Sequence, residues 1–236
     1  KYFKNEKTKG RVFMTTNPTQ IIVKLESGLV PFSDIREFSP NPGIYAVGYT
    51  GDNFPFPTGE NVVNNGDIIY IGKTEKSQKN RDAQTHFKSG KTGSSTLRRS
   101  LGAILREDLG LHPIPRSKTE SRMRDYKFIE ESEKQLTQWM MKNLSLSFFD
   151  ICEGKRIIRN SEIYIIQELK PILNLTHNSS NPYVSMLKEL RAKCKMIAKN
   201  KDDKEQIIDY DSTYYNQDSK ETLYHGYYGV YGFHEV

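Results

Sequence analysis

The sequence predicts an α/β (α+β) protein: a small, mainly antiparallel three-stranded sheet flanked by helices, with N- and C-terminal extensions. Three observations carry that expectation. Residues 42–49 and 67–72 are short β-branched and aromatic runs bounded by Pro, Gly, Asn and Asp, which read as strands bracketed by turns. Residues 144–152 form a third such run. Around them, apolar residues recur at helical spacing in segments long enough for amphipathic helices. A chain of 236 residues can enclose one sizeable core with additions, so the expected division is an extension over 1–41, a core over 42–176 and a second extension over 177–236.

The N-terminal extension holds an expected strand at 21–25 and a second short segment at 30–38. In the core, alternation along 42–49 puts Ile44 on one face and Gly43, Tyr45 and Val47 on the other. The same rule groups Tyr70 with Ile68 and Gly72, so both tyrosine hydroxyls can reach one site. The connection between these strands is punctuated by Pro and Gly, and packing is the first expectation for its Phe54 and Phe56. A helix is expected over 80–87 and another from Ser94 or Ser95, with Leu97, Leu101, Ile104 and Leu105 inward and Arg98, Arg99 and Arg106 outward. Gly102 permits close backbone approach there. Residues 110–127 read as a basic loop leading to a strand near 126–129 and a helix over 131–143, with Leu136, Trp139 and Met140 in the core. A helix over 155–169 ends before Pro171, and another covers 182–199. The last 27 residues hold seven of the 14 tyrosines, for which core packing ranks ahead of a base-stacking role.

Hydrophobic residues make up 36% of the chain, and 14 Tyr and 11 Phe supply core despite a mean hydropathy of -0.70. Cys152 and Cys194 have neither metal-ligand spacing nor a disulfide framework, which suits a reducing, cytoplasmic compartment. No apolar run approaches transmembrane length, and the first residues lack an apolar signal core, so neither membrane insertion nor secretion is expected. The net charge is +6, yet between Lys73 and Arg106 nine basic residues face two acidic ones, an excess larger than that of the whole chain. The nine are Lys73, Lys76, Lys79, Arg81, Lys88, Lys91, Arg98, Arg99 and Arg106. Such a concentration suits a polyanion, because neutralising phosphates releases counterions; a solvated helical surface is the plainer alternative.

Gly43-Ile44-Tyr45 and Tyr70-Ile71-Gly72, followed by Lys73-Thr74, resemble the signature of the GIY-YIG nuclease family. The order of the later residues matches too: Arg81 and His86, then Glu162, then Leu169-Lys170-Pro171-Ile172-Leu173-Asn174, with Glu162 12 residues before Asn174. The resemblance covers about residues 40–176 and implies a divalent-metal-dependent DNA endonuclease. It implies that Glu162 holds a single Mg2+ or Mn2+, ions that keep several waters and accept phosphate oxygens. Tyr45 becomes the candidate general base or water-positioning group, and Tyr70 a hydrogen-bonding partner of the phosphate or that water. Lys73 is placed to lower a tyrosine pKa, since an unperturbed phenol near pKa 10 is a poor base at neutrality. Arg81 would stabilise the pentavalent phosphate, His86 would assist proton transfer, and Asn174 would tie down the end of the site.

One departure stands out. The family places its arginine four residues before the histidine, on one helix face, whereas Arg81 and His86 are five apart; a bulge, or replacement by Arg98 or Arg99, would repair this. Gly72-Lys73-Thr74 also looks like the end of a phosphate-binding loop, but Asp67 stands where that motif needs glycine. The expected partners are double-stranded DNA and a second copy of the chain as a homodimer, with no membrane. Restriction or another defence role is expected; a non-cleaving DNA-binding regulator, and a nuclease of RNA or branched DNA, remain open at this point.

Overall fold

The computed structural model describes residues 17–58, 62–77, 85–117 and 125–200. The first element is a helix, α1 (Pro18–Ser27), where a strand over 21–25 was expected. Its ends explain the difference. Asn17 caps the Thr19 N–H at 3.0 Å, Pro18 occupies the first turn, and the Gly28 N–H closes the last turn on the Lys24 carbonyl. Ile21 and Leu25, four apart, are both buried while Val23 is 58% exposed, a pattern with the period of a helix and not of a strand.

Val30–Pro31 forms β1, followed by a short 3-10 turn at Phe32–Asp34. Strands β2 (Gly43–Tyr49) and β3 (Ile68–Thr74) are antiparallel neighbours at the expected places. After a 3-10 turn at Thr92–Ser94 comes α2 (Thr96–Ile104), capped by Ser95, whose side chain accepts the Arg98 N–H. The segment expected as a basic loop contributes one unexpected short strand, β4 (Pro113–Pro115), which pairs antiparallel with β5 (Tyr126–Phe128), the strand expected near 126–129. Helix α3 (Glu130–Asn143), strand β6 (Leu144–Asp150), α4 (Lys155–Leu169) and α5 (Val184–Lys199) follow. The main sheet runs β1-β6-β2-β3, so the fourth strand is the two-residue β1 paired to β6, and proline is tolerated there because β1 is an edge.

Strand β3 does not alternate regularly. The register with β2 slips so that Val47 opposes Tyr70 and Gly48 opposes Ile68, leaving Ile69 as the extra residue of a bulge. Ile69 therefore joins Tyr45, Val47 and Tyr70 in one core, and Ile68 joins Ile44, Ala46 and Ile71 in the other. This corrects the expected grouping of Ile68 with Tyr70, while Tyr70 keeps the face predicted for it. The second core is closed by α1 and α4, through Ile21, Leu25, Ile157, Ile158, Ile165 and Ile166. The first is filled by α2, α3 and α5 and by the loop after β2, whose Phe54 and Phe56 are buried. Gly102 lies against Phe128, where a Cβ would overlap the ring. Trp139 is half-buried against this core and stacks on Tyr49 at 6.3 Å. Among the described residues no helix is long and apolar enough to cross a membrane. The Tyr-rich last 27 residues lie outside the described residues.

Candidate active site

Tyr45 of β2 and Tyr70 of β3 stand on the same face with ring centroids 6.2 Å apart. The Tyr45 hydroxyl lies over Gly72, where a Cβ would overlap the phenol, so the glycine of the second tripeptide makes room for the tyrosine of the first. Residues 85–86 have π-type helical winding and bring His86 beneath the pair. Tyr45 Oη is 2.6 Å from His86 Nε2, and His86 Nδ1 is 2.7 Å from Ser95 Oγ. Ser95 Oγ also accepts the Arg98 N–H at 3.1 Å, so one hydroxyl caps α2 and anchors the imidazole. Tyr45, His86 and Ser95 are fully buried; Tyr70 is 6% exposed. A buried polar group without a partner is destabilising, so this chain fixes three side chains in one geometry.

Arg98, expected to meet phosphate, is instead buried and paired. Its Nε donates to Thr92 Oγ1 at 3.2 Å, Nη1 to the His86 carbonyl at 3.2 Å, and Nη2 to Glu133 at its carbonyl (3.1 Å) and Oε2 (2.7 Å). Burial pulls its pKa below the ordinary value, and the Glu133 carboxylate opposes that shift. The physical reason lies in α2, which is covered nearly all round: Arg98, Leu101 and Leu105 share one stripe, so no solvent face remains for the guanidinium. Arg99 donates to the Gly93 carbonyl at 2.9 Å and lies 3.5 Å from Asp125. Arg106 pairs with Glu107 at 2.5 Å. Lys76 and Lys88 are exposed and Lys91 is half-buried. Lys79 and Arg81 lie outside the described residues. Among its described residues the basic window is thus divided among a buried network, engaged arginines and exposed or half-buried lysines, and these do not form one continuous face.

Lys73 is paired with Ile44 across the ladder, so its side chain projects onto the α1/α4 face of the sheet, opposite the tyrosines. There it forms an ion pair with Glu162 Oε2 of α4; the two side chains are 29% and 14% exposed. Beyond it, Glu75 accepts two bonds from Arg159, 2.6 Å to Nε and 3.1 Å to Nη2, with Lys155 at 3.9 Å. These partners hold the Glu75 carboxyl below its usual range, the Arg159 hydrogen bond first. The edge strand β3 is the border between the two halves. Asn174 secures that edge: its Oδ1 accepts the Ile71 N–H and its Nδ2 donates to the Ile71 carbonyl, both at 2.8 Å, as a neighbouring strand would.

Among the described residues no group of three or more His, Cys, Asp or Glu could hold a metal. The donor set nevertheless fits an ion that keeps most of its waters, since such an ion needs few protein ligands, and Glu162, partly exposed beside Lys73, would hold it. Sequence reading missed Ser95 as a histidine partner, and missed Thr92, Glu133, Glu75 and Arg159. Ser95 was legible as a cap and Arg159 as one turn from Glu162. Their partners lie 9 to 84 positions away in the chain, where no local pattern reports them.

A family model for the GIY-YIG catalytic domain matches residues 56–193, which takes in Tyr70, Lys73, His86, Glu162 and Asn174 and begins after Tyr45. Comparison with curated proteins and with solved structures finds no match. With the antiparallel sheet, the paired tyrosines and the glutamate helix in place, the family match identifies the chain as a member of the GIY-YIG catalytic domain family, an endonuclease that hydrolyses phosphodiester bonds.

Proposed function

We propose that the protein is a Mg2+- or Mn2+-dependent endonuclease of double-stranded DNA with a sequence-specific restriction or other defence role. The observation that carries this reading is the chain from Tyr45 Oη through His86 to Ser95, at 2.6 and 2.7 Å. A phenol alone is a poor base at neutral pH. An imidazole within hydrogen-bond reach can take the phenolic proton as the phenol takes one from water, which moves the base nearer the operating pH. Tyr70 is the more exposed tyrosine and is assigned contact with the scissile phosphate. Lys73 supplies positive charge, Arg81 is assigned to the charge that develops on the phosphate, and Asn174 keeps the β3 edge in place. Glu162 would hold the ion, which when bound supplies Lewis acidity to the phosphate oxygens. Lys76, Lys88 and Lys91, with Lys79, are assigned to the nucleic-acid backbone, and the core of this activity to residues 42–176. The cytoplasm is the assigned compartment.

The test is incubation of the full chain with plasmid DNA, phage DNA and structured RNA in Mg2+, Mn2+ or chelator. Discrete metal-dependent fragments of duplex DNA are expected. Cleavage confined to RNA or branched DNA would replace the substrate, and binding without cleavage in any ion would overturn the assignment of Tyr45, His86 and Glu162.

A further inference from the structure

The expected phosphate contacts Arg98, Arg99 and Arg106 are each engaged elsewhere, which raises the question of which cations meet the nucleic acid beside Glu162. The α1/α4 face answers it. Lys155, Arg159 and Glu162 fall at i, i+4 and i+7 along α4 and make one stripe, and Lys73 and Glu75 at the end of β3 run beside it. The two rows are cross-paired: Lys73 with Glu162, and Glu75 with Arg159 and Lys155. Arg156, next to Lys155 in the chain, and Lys76, next to Glu75, are both exposed and add positive charge. Among these seven residues cations outnumber carboxylates.

We infer that Arg159, with Lys155, is a binding site for a backbone phosphate next to the one cut, and that Glu75 occupies it in the free protein as an internal competitor. This rests on the endonuclease assignment for its substrate. Glu75 offers two oxygens to the Nε/Nη2 edge of the guanidinium, the fork a phosphate also fits. The Arg159 side chain is 59% exposed and that of Glu75 23%, and an ion pair so open to water holds the fold together little, so it can be exchanged. Arg159 lies one turn, about 4.5 Å along the helix axis, from Glu162, which suits a neighbouring phosphate of the same strand. A carboxylate is ionised at neutral pH even at its ordinary pKa, and the Arg159 hydrogen bond lowers that of Glu75 further, so Glu75 competes as an anion there. The substrate must displace it, and a surface that simply attracts any polyanion would lack such a competitor.

The experiment measures affinity of the full chain for a fluorescent DNA duplex in chelator over a salt series, with thermal melts as a control for folding. Arg159→Ala should weaken binding several-fold and lower the log-log salt slope by about one. Arg159→Lys should keep the slope and lose part of the affinity, because charge remains and the fork does not. Glu75→Gln should tighten binding several-fold, and that gain should vanish in the Glu75→Gln/Arg159→Ala double variant. Unchanged or weaker binding by Glu75→Gln in a protein that melts normally would overturn the competitor role, and an unchanged slope for Arg159→Ala would overturn the site. Both readouts are made without metal, so they stand or fall apart from wild-type cleavage, which tests the endonuclease itself.

Discussion

The two faces of the sheet use the same kinds of residues under opposite conditions. On the tyrosine face, Arg98, Glu133, His86 and Ser95 are all removed from water, and each polar atom named there is held by a protein partner. On the α1/α4 face, Lys73, Glu162, Glu75 and Arg159 make ion pairs that remain partly solvated. A buried charge must be paired or it destabilises the fold, so burial turns a charged side chain into a positioning device. A solvated pair is weak and can be traded for a ligand. An arginine is thus scaffold in one place and a phosphate site in the other, and neither sequence spacing nor net charge separates the two cases.

The strongest way to break this comparison is Glu162→Gln. Cleavage should fall below detection while DNA affinity in chelator stays within about two-fold, since the change removes the proposed metal ligand and leaves the cations. Wild-type cleavage rates in this variant would remove Glu162 from the reaction. Next in size is Arg98→Ala, which leaves Glu133 as a buried unpaired carboxylate. Denaturant titration should show a loss of about 3–5 kcal/mol, and a change under ~0.5 kcal/mol with a lower salt slope for DNA would mean that Arg98 is a surface contact after all.

Tyr45→Phe should slow cleavage by at least ~100-fold, the lower end expected for losing a positioned proton-transfer group. His86→Ala should do no further damage in that background, because the two act as a unit; multiplicative losses would separate them. The smallest effect is alkaline and belongs to the closed face. Burial raises the Cys194 thiol from 9.0 to about 11, and burial also raises the Tyr126 phenol above 10.0. Since the unfolded chain releases these protons first, the stability is fully present below about pH 9 and is lost as pH rises towards about 11. Cys194→Ala should move the onset of this loss upward by about one pH unit, from the ordinary thiol value of 9.0 to the phenol value of 10.0, with Tyr126 remaining. An onset that stays near pH 9 in stability curves would place its cause elsewhere.

What the sequence determined by itself was local. Hydrophobic period and end signals placed β2, β3, α2, α3, β6 and α4 within a few residues, because a strand or helix with one apolar side writes its period into neighbouring positions. The ordered tripeptides, Glu162 and Asn174 pointed to the family, because those residues are fixed by chemistry at set places in the chain. At 21–25 the β-branched residues read as a strand, and the helix caps at Asn17 and Gly28 outweighed that propensity. Tertiary structure alone decided the rest. A bulge at Ile69 chose which face each isoleucine covers, Glu133 drew Arg98 inward from 35 positions away, and Ser95 met His86 through space. Each of these depends on a partner distant in the chain or on a one-residue slip in pairing, and the free energy that selects it exists only once the elements have packed.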